Sequence, residues 1–345
     1  MAAGWIDRPH ERLEIGDMLL ESGETLKEAF VSYVVHGDPA RLRDDAILVL
    51  SAIGSSHHRL DFLIGPGNAL DTDRHCVVAV DALGNGLSIS PSNSAAQPGA
   101  RFPRLSISDM VQSQRRLIDH IGVDRLFAVV GASMGGMQAL QWAVAEPRRM
   151  RRVVAMTPMA RTSRWSQLVN EMSRRALFSD AECRVARTRE DAARLWLPLT
   201  QLLMPRTPEA VEQAFGSREA LLRWTDDAAA SGVVPDAFDW CRQSQAYDEH
   251  DVGNSPGMGG DTARALASID AEVLVLAPAQ DLYNPPFAAR DAAAGIRFGR
   301  FVELPGVEGH RSASGVAEPS TAALRTAIRA FLSSESDVGS RAADS

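Results

Sequence analysis

The sequence predicts an α/β protein with a mostly parallel central sheet flanked by helices. Short continuous apolar runs, typical of strands buried on both faces, recur along most of the chain. Helical patterns alternate with these runs, which is the order expected when helices connect parallel strands. Strand signals stop between about residues 161 and 265, which indicates a helical insertion in the sheet.

The expected strands follow one another from the N-terminal third to the C-terminus. They are LKEAFVSYVV (26–35), AILVLSA (46–52), HCVVAVD (75–81), RLFAVVGAS (125–133), MRRVVAMTP (150–158), AEVLVLAP (271–278) and RFVELPG (300–306). Residues 108–123 have apolar side chains at helical spacing, and Gly122 is a natural stop. Further helices are expected at 134–146 and 321–332.

The domain organisation follows from the gap in the strand pattern. Residues 1–160 and 266–333 form the predicted α/β core, and the helical stretches of 161–265 form a lid inserted between two strands. The last residues, 334–345, are small and polar and are expected to be disordered.

Composition excludes several classes of protein. The net charge is −8, so the positive field of a nucleic-acid-binding protein is missing. No apolar run approaches the roughly 18 residues of a membrane span, and the N-terminus lacks the apolar core of a signal peptide. Three widely spaced cysteines form neither a disulfide framework nor a zinc site. We therefore expect a cytoplasmic protein with no nucleic-acid or membrane partner, no metal and no cofactor.

A serine stands between glycines where a predicted strand meets a predicted helix. Gly131-Ala132-Ser133-Met134-Gly135 matches G-x-S-x-G, with FAVV before it and MGGMQALQWAVAE after it. This context is that of a nucleophile elbow, in which a strained turn exposes the serine hydroxyl. The alternative is a junction where glycines only let strand and helix pack closely.

Serine needs a base to act as a nucleophile at neutral pH. With an elbow on a parallel sheet, the expected chain order is serine, acid, histidine. Asp281 follows the strand at 271–278, and His310 follows the strand at 300–306, so both lie at the expected strand ends. Ser133 would attack a carbonyl, His310 would take its proton, and Asp281 would orient the imidazole.

Two backbone N–H groups are candidates for the oxyanion hole. One belongs to Met134, directly after the nucleophile, and the other to Ile53, in the loop after the strand at 46–52. The doublet His57-His58 suggests a metal site, but adjacent residues rarely share a metal and no carboxylate is expected at ligand spacing.

The chain closely resembles the homoserine O-acetyltransferase family of α/β-hydrolases. The elbow GASMGGMQALQWA nearly matches the signature of that family, and the likeness covers about residues 25–180 and 245–332. Other matching segments are LIGPGNALDTDRHCVV, FPRLSISDMVQSQRRLIDHIG, NEMSRRAL, EHDVG and DLYNPP. The resemblance implies an α/β-hydrolase fold, the triad Ser133, Asp281 and His310, an acyl-enzyme and a homodimer. It also implies that Arg174, the lid arginine of the family, meets the substrate carboxylate; the alternative is an arginine on the surface of the lid.

The chain departs from the pattern of this family in three places. The family usually has an HALTGD-like oxyanion loop and an LGGCYGSTGP stretch, where this chain has SAIGSSHH and LGNGLSISPSN. Its catalytic histidine is followed by an aspartate that helps to hold the amino-acid acceptor, and here Arg311 follows His310. At about 5 Å and an effective dielectric near 20, each unit of charge contributes roughly 3 kcal/mol. An inward Arg311 would prevent binding of an ammonium group; the alternative is that Arg311 faces solvent or pairs with a lid carboxylate.

These features favour a serine hydrolase of short-chain, acetyl esters that acts on a small-molecule substrate. The second hypothesis is an acetyl-CoA-dependent O-acetyltransferase acting on homoserine or another small alcohol, since both reactions begin with the same acyl-enzyme. The third is a non-catalytic binding module on a hydrolase scaffold.

Overall fold

The computed structural model describes residues 5–335 and contains a mixed eight-stranded sheet in the order β1-β2-β6-β3-β7-β8-β9-β10. Its strands are β1 (Glu11–Leu19), β2 (Thr25–His36), β3 (Ala46–Leu50), β6 (Cys76–Val80), β7 (Leu126–Ala132), β8 (Met150–Met156), β9 (Glu272–Pro278) and β10 (Gly299–Leu304). Two short strands, β4 (Ile64–Gly65) and β5 (Leu70–Asp71), pair separately. From β6 to β10 every pairing is parallel, and β1 and β2 are antiparallel.

The central strands are continuous apolar runs because both faces of the sheet are covered. All residues of β3, β6, β7 and β9 are buried. Helices α2 (Ile107–His120), α3 (Met134–Ala145) and α10 (Pro286–Gly295) cover one face. Helix α11 (Ser320–Ser333) and the 3-10 turn His57–Leu63 cover the other. The seven strands expected from the sequence and the helices at 108–123, 134–146 and 321–332 are thereby confirmed.

The first strand of the sheet, β1, was not expected from the sequence. In β1 only Met18 is fully buried, and the other side chains face solvent or lie half-buried at the edge of the sheet. Register shifts around Gly16 also break the two-residue alternation that identifies a half-exposed strand. An exposed, irregular edge strand therefore leaves no clear pattern in the sequence.

Between β8 and β9 the chain forms helices joined by loops, and its only β-pairing within the described residues is two isolated bridges, Arg161 with Asp251 and Phe178 with Ala186. Because β8 and β9 are parallel neighbours, this insertion leaves the sheet at its carboxyl edge. Its helices are α4 (Arg164–Leu177), α5 (Arg189–Pro198, continued by a π-helical turn at Leu199–Leu203), α6 (Pro208–Ala214), α7 (Arg218–Ser231), α8 (Ala237–Asp248) and α9 (Thr262–Ala267). One further short helix, α1 (Leu42–Asp45), precedes β3.

The domain boundaries stay a prediction. The predicted end of the lid, residue 265, falls inside α9, which packs against α10 of the core. Residues 1–4 of the predicted core and 336–345 of the predicted tail lie outside the described residues. Within residues 5–335, the helices are too short or too polar to cross a bilayer.

Candidate active site

The turn between β7 and α3 holds Ser133 in a conformation rare for a residue with a side chain. Its φ is 57° and its ψ is −122°, and its N–H donates to the carbonyl of Met156 over 2.9 Å. A Cβ on Gly131 would lie 2.1 Å from the carbonyl oxygen of Gly135, and one on Gly135 would lie 2.5 Å from that of Leu50. The same glycines thus permit close packing and the sharp turn that presents the serine.

The structure brings the three residues of the expected triad into one chain of hydrogen bonds. Ser133 Oγ lies 2.8 Å from His310 Nε2, and His310 Nδ1 lies 2.7 Å from Asp281 Oδ2. Asp281 Oδ1 accepts the backbone N–H groups of Tyr283 and Asn284 over 2.8 and 2.9 Å. These bonds fix the orientation of the carboxylate, which in turn fixes the imidazole. This geometry permits proton transfer from serine to histidine during attack on a carbonyl.

The three side chains are covered by protein. Ser133, Asp281 and His310 are 3, 5 and 8% exposed. A cleft of about 610 Å³ bordered by Arg161, Arg164 and Asp248 opens at the base of the lid, and its lining does not include Ser133. Ser133 is thus buried and lies outside this cleft.

The two expected oxyanion donors lie at the start of α3 and in the loop after β3. Met134 is the first residue of α3, so its N–H has no acceptor within the helix. On either side of Ile53, the N–H of Ala52 donates to Ser55 Oγ and that of Gly54 donates to Gln243 Oε1, each over 2.9 Å. In the part of the chain that the structure describes, the N–H groups of Ile53 and Met134 have no hydrogen-bond partner. Their assignment to an oxyanion hole stays a prediction.

The last long helix of the lid adds a residue that the sequence analysis missed. Tyr247, on α8, is fully buried, and its hydroxyl donates to Asn284 Oδ1 and lies near Ser133. Burial raises the pKa of Tyr247 above its ordinary value, so the phenol is neutral at pH 7. Its ring stacks on that of Tyr283, which meets the His310 ring edge-on at 5.1 Å. The only available signal is that Tyr247 lies two residues before the segment EHDVG that carries the family resemblance.

Arg174 lies in a network of ion pairs within the protein. Its Nη2 donates to Asp248 Oδ2 over 2.7 Å and to Glu171 Oε2 over 3.0 Å, and its Nη1 donates to Ser244 Oγ. The charge of Asp248 is the main influence raising the pKa of Arg174, against the effect of burial. Two carboxylates beside one guanidinium oppose the approach of a third. The expectation that Arg174 binds a substrate carboxylate stays a prediction, and these pairs weigh against it.

Arg311 lies between its own loop and the lid. Its Nη1 is 3.7 Å from Glu308 Oε2, and its backbone N–H donates to the carbonyl of Pro205 over 3.3 Å. Burial, and then the charge of Arg206, lower the pKa of Arg311. The partner of Arg311 is thus a carboxylate of the histidine loop and not one of the lid.

The histidine doublet has carboxylate partners, contrary to the sequence-based expectation. His57 Nδ1 lies 2.9 Å from Asp81 Oδ2, and His58 Nδ1 lies 2.7 Å from Asp61 Oδ2. The second pair is three residues apart in a 3-10 turn, and the first joins two loops that the sequence alone could not bring together. Each imidazole has a separate carboxylate, and residues 5–335 contain no cluster of three or more side chains suited to a metal ion.

Comparisons with known proteins agree with this architecture. Residues 45–310 match the family model of the alpha/beta hydrolase fold. A homoserine O-acetyltransferase from Leptospira biflexa is 30% identical over 358 aligned positions, which cover 93% of each chain. A structure of the acetyl esterase MekB is 28% identical, with a TM-score of 0.85 over 94% of this chain and 97% of that one. A homoserine O-acetyltransferase from Bacillus anthracis shares the fold, with a TM-score of 0.81 at 20% identity over 95% and 98% of the two chains. The chain belongs to the α/β-hydrolase family and, within it, to the relatives of the homoserine O-acetyltransferases.

Proposed function

We propose that the protein hydrolyses short-chain, acetyl esters through an acyl-enzyme on Ser133. His310 takes the proton of Ser133 Oγ as the hydroxyl attacks the ester carbonyl, and then donates it to the leaving alcohol. The N–H groups of Met134 and Ile53 stabilise the oxyanion. Water, activated by His310, attacks the acyl-enzyme and releases acetate. The hydrogen bonds from Ser133 to His310 and from His310 to Asp281 support this sequence of steps.

The ion pairs of Arg174 are the observation that favours ester hydrolysis over acyl transfer to an amino acid. An amino-acid acceptor brings a carboxylate and an ammonium group, and each needs an opposite charge within the site. The guanidinium of Arg174 is already matched by Asp248 and Glu171. Arg311 stands where the family resemblance expects an aspartate, so the chain lacks at this position the carboxylate that would hold the ammonium group. An ester hydrolase requires neither binding site.

The second candidate is an acetyl-CoA-dependent O-acetyltransferase acting on homoserine or another small alcohol. The name of the Leptospira biflexa relative favours it, since that likeness extends over 93% of each chain. The burial of Ser133 also favours the transferase, because exclusion of water protects an acyl-enzyme until an acceptor arrives. In that reaction acetyl-CoA acylates Ser133 and the acceptor takes the place of water.

The test is to follow the acetyl group. Purified protein receives p-nitrophenyl acetate or, separately, acetyl-CoA, with and without excess L-homoserine, and acetate and O-acetylhomoserine are quantified. We expect acetate to form at the same rate with and without homoserine. O-acetylhomoserine as the main product, with free CoA released in step, would overturn the proposal in favour of the transferase. Ser133→Ala, as the control, should form neither product.

The assembly and location of the enzyme belong to the same proposal. We infer a homodimer in the reducing cytoplasm, supported by the family resemblance and by three cysteines in the free thiol state. Light scattering after size-exclusion chromatography should give twice the mass of the 37.2 kDa chain. A mass of one chain at micromolar concentration would contradict the dimer.

A further inference from the structure

His57 has no part in the proposed reaction, yet its pairing with a carboxylate repeats that of His310. His57 Nδ1 lies 2.9 Å from Asp81 Oδ2, and His310 Nδ1 lies 2.7 Å from Asp281 Oδ2. The side chains of His57 and Asp81 are 1 and 0% exposed. Because a carboxylate only accepts hydrogen bonds, the Nδ1 of His57 carries the hydrogen of this contact. The structure therefore contains a second, fully buried imidazole–carboxylate pair.

The other ring nitrogen distinguishes the two pairs in function. His310 Nε2 lies 2.8 Å from Ser133 Oγ. Within the described part of the chain, His57 Nε2 is buried and has no hydrogen-bond partner. The ring of His10 meets that of His57 edge-on at 4.5 Å. A general base must reach the proton that it takes, so His57 is not a second base and its pair with Asp81 has another role.

The Asp81 carboxylate fixes the end of the loop that follows β3, residues 51–56. Its Oδ1 accepts the backbone N–H of His57 over 2.8 Å and the side-chain N–H of Asn85 over 3.0 Å. The same amide nitrogen of Asn85 donates to the carbonyl of Ser55 over 3.1 Å. Both oxygens of Asp81 and the amide of Asn85 thus tie this loop to the residues that follow β6.

The residues that follow β6 are themselves ordered, so they provide a fixed support. Asn85 Oδ1 accepts the N–H of Ser88 over 3.1 Å, and the Ser88 hydroxyl donates to the carbonyl of Asp81 over 2.7 Å. The N–H of Ala82 donates to Ser51 Oγ over 2.9 Å, at the start of the loop after β3. The two segments are therefore joined at both ends of that loop.

The N–H of Ile53 lies between these anchors. Gly54 is exposed, and Ile53 and Ser55 are only half-buried. The N–H of Ala52 donates to Ser55 Oγ, and that of Gly54 donates to Gln243 Oε1, each over 2.9 Å. Burial holds this loop weakly, so its hydrogen bonds set the course of its backbone. The direction of the Ile53 N–H accordingly depends on side chains outside the loop.

We propose that His57 and Asp81 are positioning residues that hold the Ile53 N–H toward the oxyanion formed at Ser133. This inference rests on the proposed function and names the support of its second oxyanion donor. Neither side chain touches a reacting atom, and both act through the backbone of the loop. Since the oxyanion is present in the transition state and absent from the bound ester, a displaced donor lowers kcat and leaves KM nearly unchanged.

The experiment compares two substitutions of His57 in the full-length protein. His57→Asn places an amide nitrogen where the imidazole has Nδ1, so it can still donate to Asp81, and His57→Leu places a methyl group there. Removal of an oxyanion donor typically costs roughly 10²–10³ in kcat, and a displaced donor costs less, so we expect about a tenfold loss in His57→Leu with p-nitrophenyl acetate. His57→Asn should recover most of this loss, and KM should change little in either variant.

The second histidine of the doublet provides the matched control. The side chain of His58 pairs with Asp61 over 2.7 Å within the same 3-10 turn, and it does not bond the residues that follow β6. His58→Leu should therefore keep the wild-type kcat. Circular dichroism checks the fold of each variant, and titration with a serine-directed phosphonate gives kcat per reactive site.

Trifluoroacetone supplies a readout that a purely structural role would not change. The ketone adds to a serine hydroxyl and forms an oxyanion, so its Ki should rise in His57→Leu by the same factor by which kcat falls. Unchanged kcat and Ki in His57→Leu, or equal losses in His57→Leu and His58→Leu, would overturn the positioning role.

Failure of the proposed function has a different signature, because it shows in the wild-type protein. Wild-type that neither hydrolyses the ester nor reacts with the phosphonate at Ser133 would refute the proposed nucleophile, and the positioning role with it. Wild-type that transfers the acetyl group to homoserine would refute hydrolysis alone. The comparison of His57→Leu, His57→Asn and His58→Leu is then made on acetyl-CoA turnover, with the same expected order of kcat.

Discussion

Ser133, the proposed nucleophile, has a backbone conformation that costs free energy. Its φ of 57° lies where a Cβ is crowded, so any side chain at this position is strained. Glycine removes that crowding and alanine does not, although both remove the hydroxyl. The pair Ser133→Gly and Ser133→Ala therefore separates the chemical role of the residue from the strain of the turn.

For activity, we expect both variants to lose on the order of 10⁴-fold or more in kcat/KM, because no other group can form the acyl-enzyme. For stability, we expect Ser133→Gly to exceed Ser133→Ala by about 1 kcal/mol in the free energy of unfolding. Urea denaturation and ester hydrolysis measure the two effects. A serine-directed phosphonate should label Ser133 alone in the wild-type, and labelling elsewhere would refute the assignment.

Tyr247 contributes a neutral hydroxyl beside that serine, and removal of the hydroxyl tests whether it acts in catalysis. In Tyr247→Phe the buried Asn284 Oδ1 loses its donor, which should lower the free energy of unfolding by about 1 to 3 kcal/mol. We also expect kcat to fall about tenfold with KM little changed, because the hydroxyl lies near the proposed nucleophile. Tyr33→Phe is the matched control, since its hydroxyl bonds Glu11 at the sheet edge. A loss of stability with an unchanged kcat would show that the Tyr247 hydroxyl has a purely structural role.

At the scale of elements, helix α8 connects the lid to the loop that follows β3. Gln243 accepts the N–H of Gly54 and donates to the carbonyl of Leu83 over 3.2 Å, so one side chain joins three segments. The side chain of Trp240 packs against Gly54 so closely that a Cβ there would lie 2.8 Å from the ring. The position of the Ile53 N–H thus depends on α8.

Gln243→Leu should lower kcat about tenfold, because Gly54 and Leu83 lose their partners and the loop that carries the proposed oxyanion donor Ile53 is no longer fixed. Gln245→Leu, on the same helix, removes a contact with Arg242 and leaves that loop intact. Steady-state kinetics of the two variants gives the comparison. Equal effects of the two substitutions would argue against a role of Gln243 in positioning the loop.

The elements differ in how far the sequence predicts them, and the difference has a physical origin. Strands β3, β6, β7 and β9 are buried on both faces, so their composition alone identifies them. The triad residues were predictable in position because each follows a strand at the same edge of the sheet. Their roles stay predictions.

Tyr247 and Gln243 were not predictable, because each depends on a contact between segments distant in the sequence. Hydrophobic periodicity reports which face of a helix is buried, and it does not report which loop or helix covers that face. The same limit applies to His57 and Asp81, which meet only once the loops after β3 and β6 are folded together.

At the scale of the whole molecule, the sheet order explains why distant residues form one site. β7, β8, β9 and β10 are adjacent and parallel, so the loops that follow β7, β9 and β10 emerge at one edge with Ser133, Asp281 and His310. The lid closes over this edge, and its final segment returns through His250 to the core. His250 is buried, and its Nε2 lies 3.2 Å from the carbonyl of Met159, so it joins lid and core.

This arrangement makes the folded protein sensitive to acid. Burial lowers the pKa of His250 to about 4, against the opposing effects of Asp251 and Met159, and burial likewise lowers the pKa of His36 to about 4. The unfolded chain binds a proton on each histidine below about pH 6.5, and the folded chain does so only below about pH 4. Stability is therefore present above pH 6.5 and lost as the pH falls between these values.

We expect wild-type to lose about 2 kcal/mol more in the free energy of unfolding between pH 7 and pH 5 than His250→Gln, which retains an amide donor for Met159. Urea denaturation at both pH values measures this difference. Asp239, whose pKa burial raises to about 6, changes in the opposite sense but equally in both proteins, so the comparison cancels it. His120→Gln, at an exposed helix end, is the control for the substitution itself. If His250→Gln loses as much stability as wild-type, the acid sensitivity of the lid junction arises elsewhere.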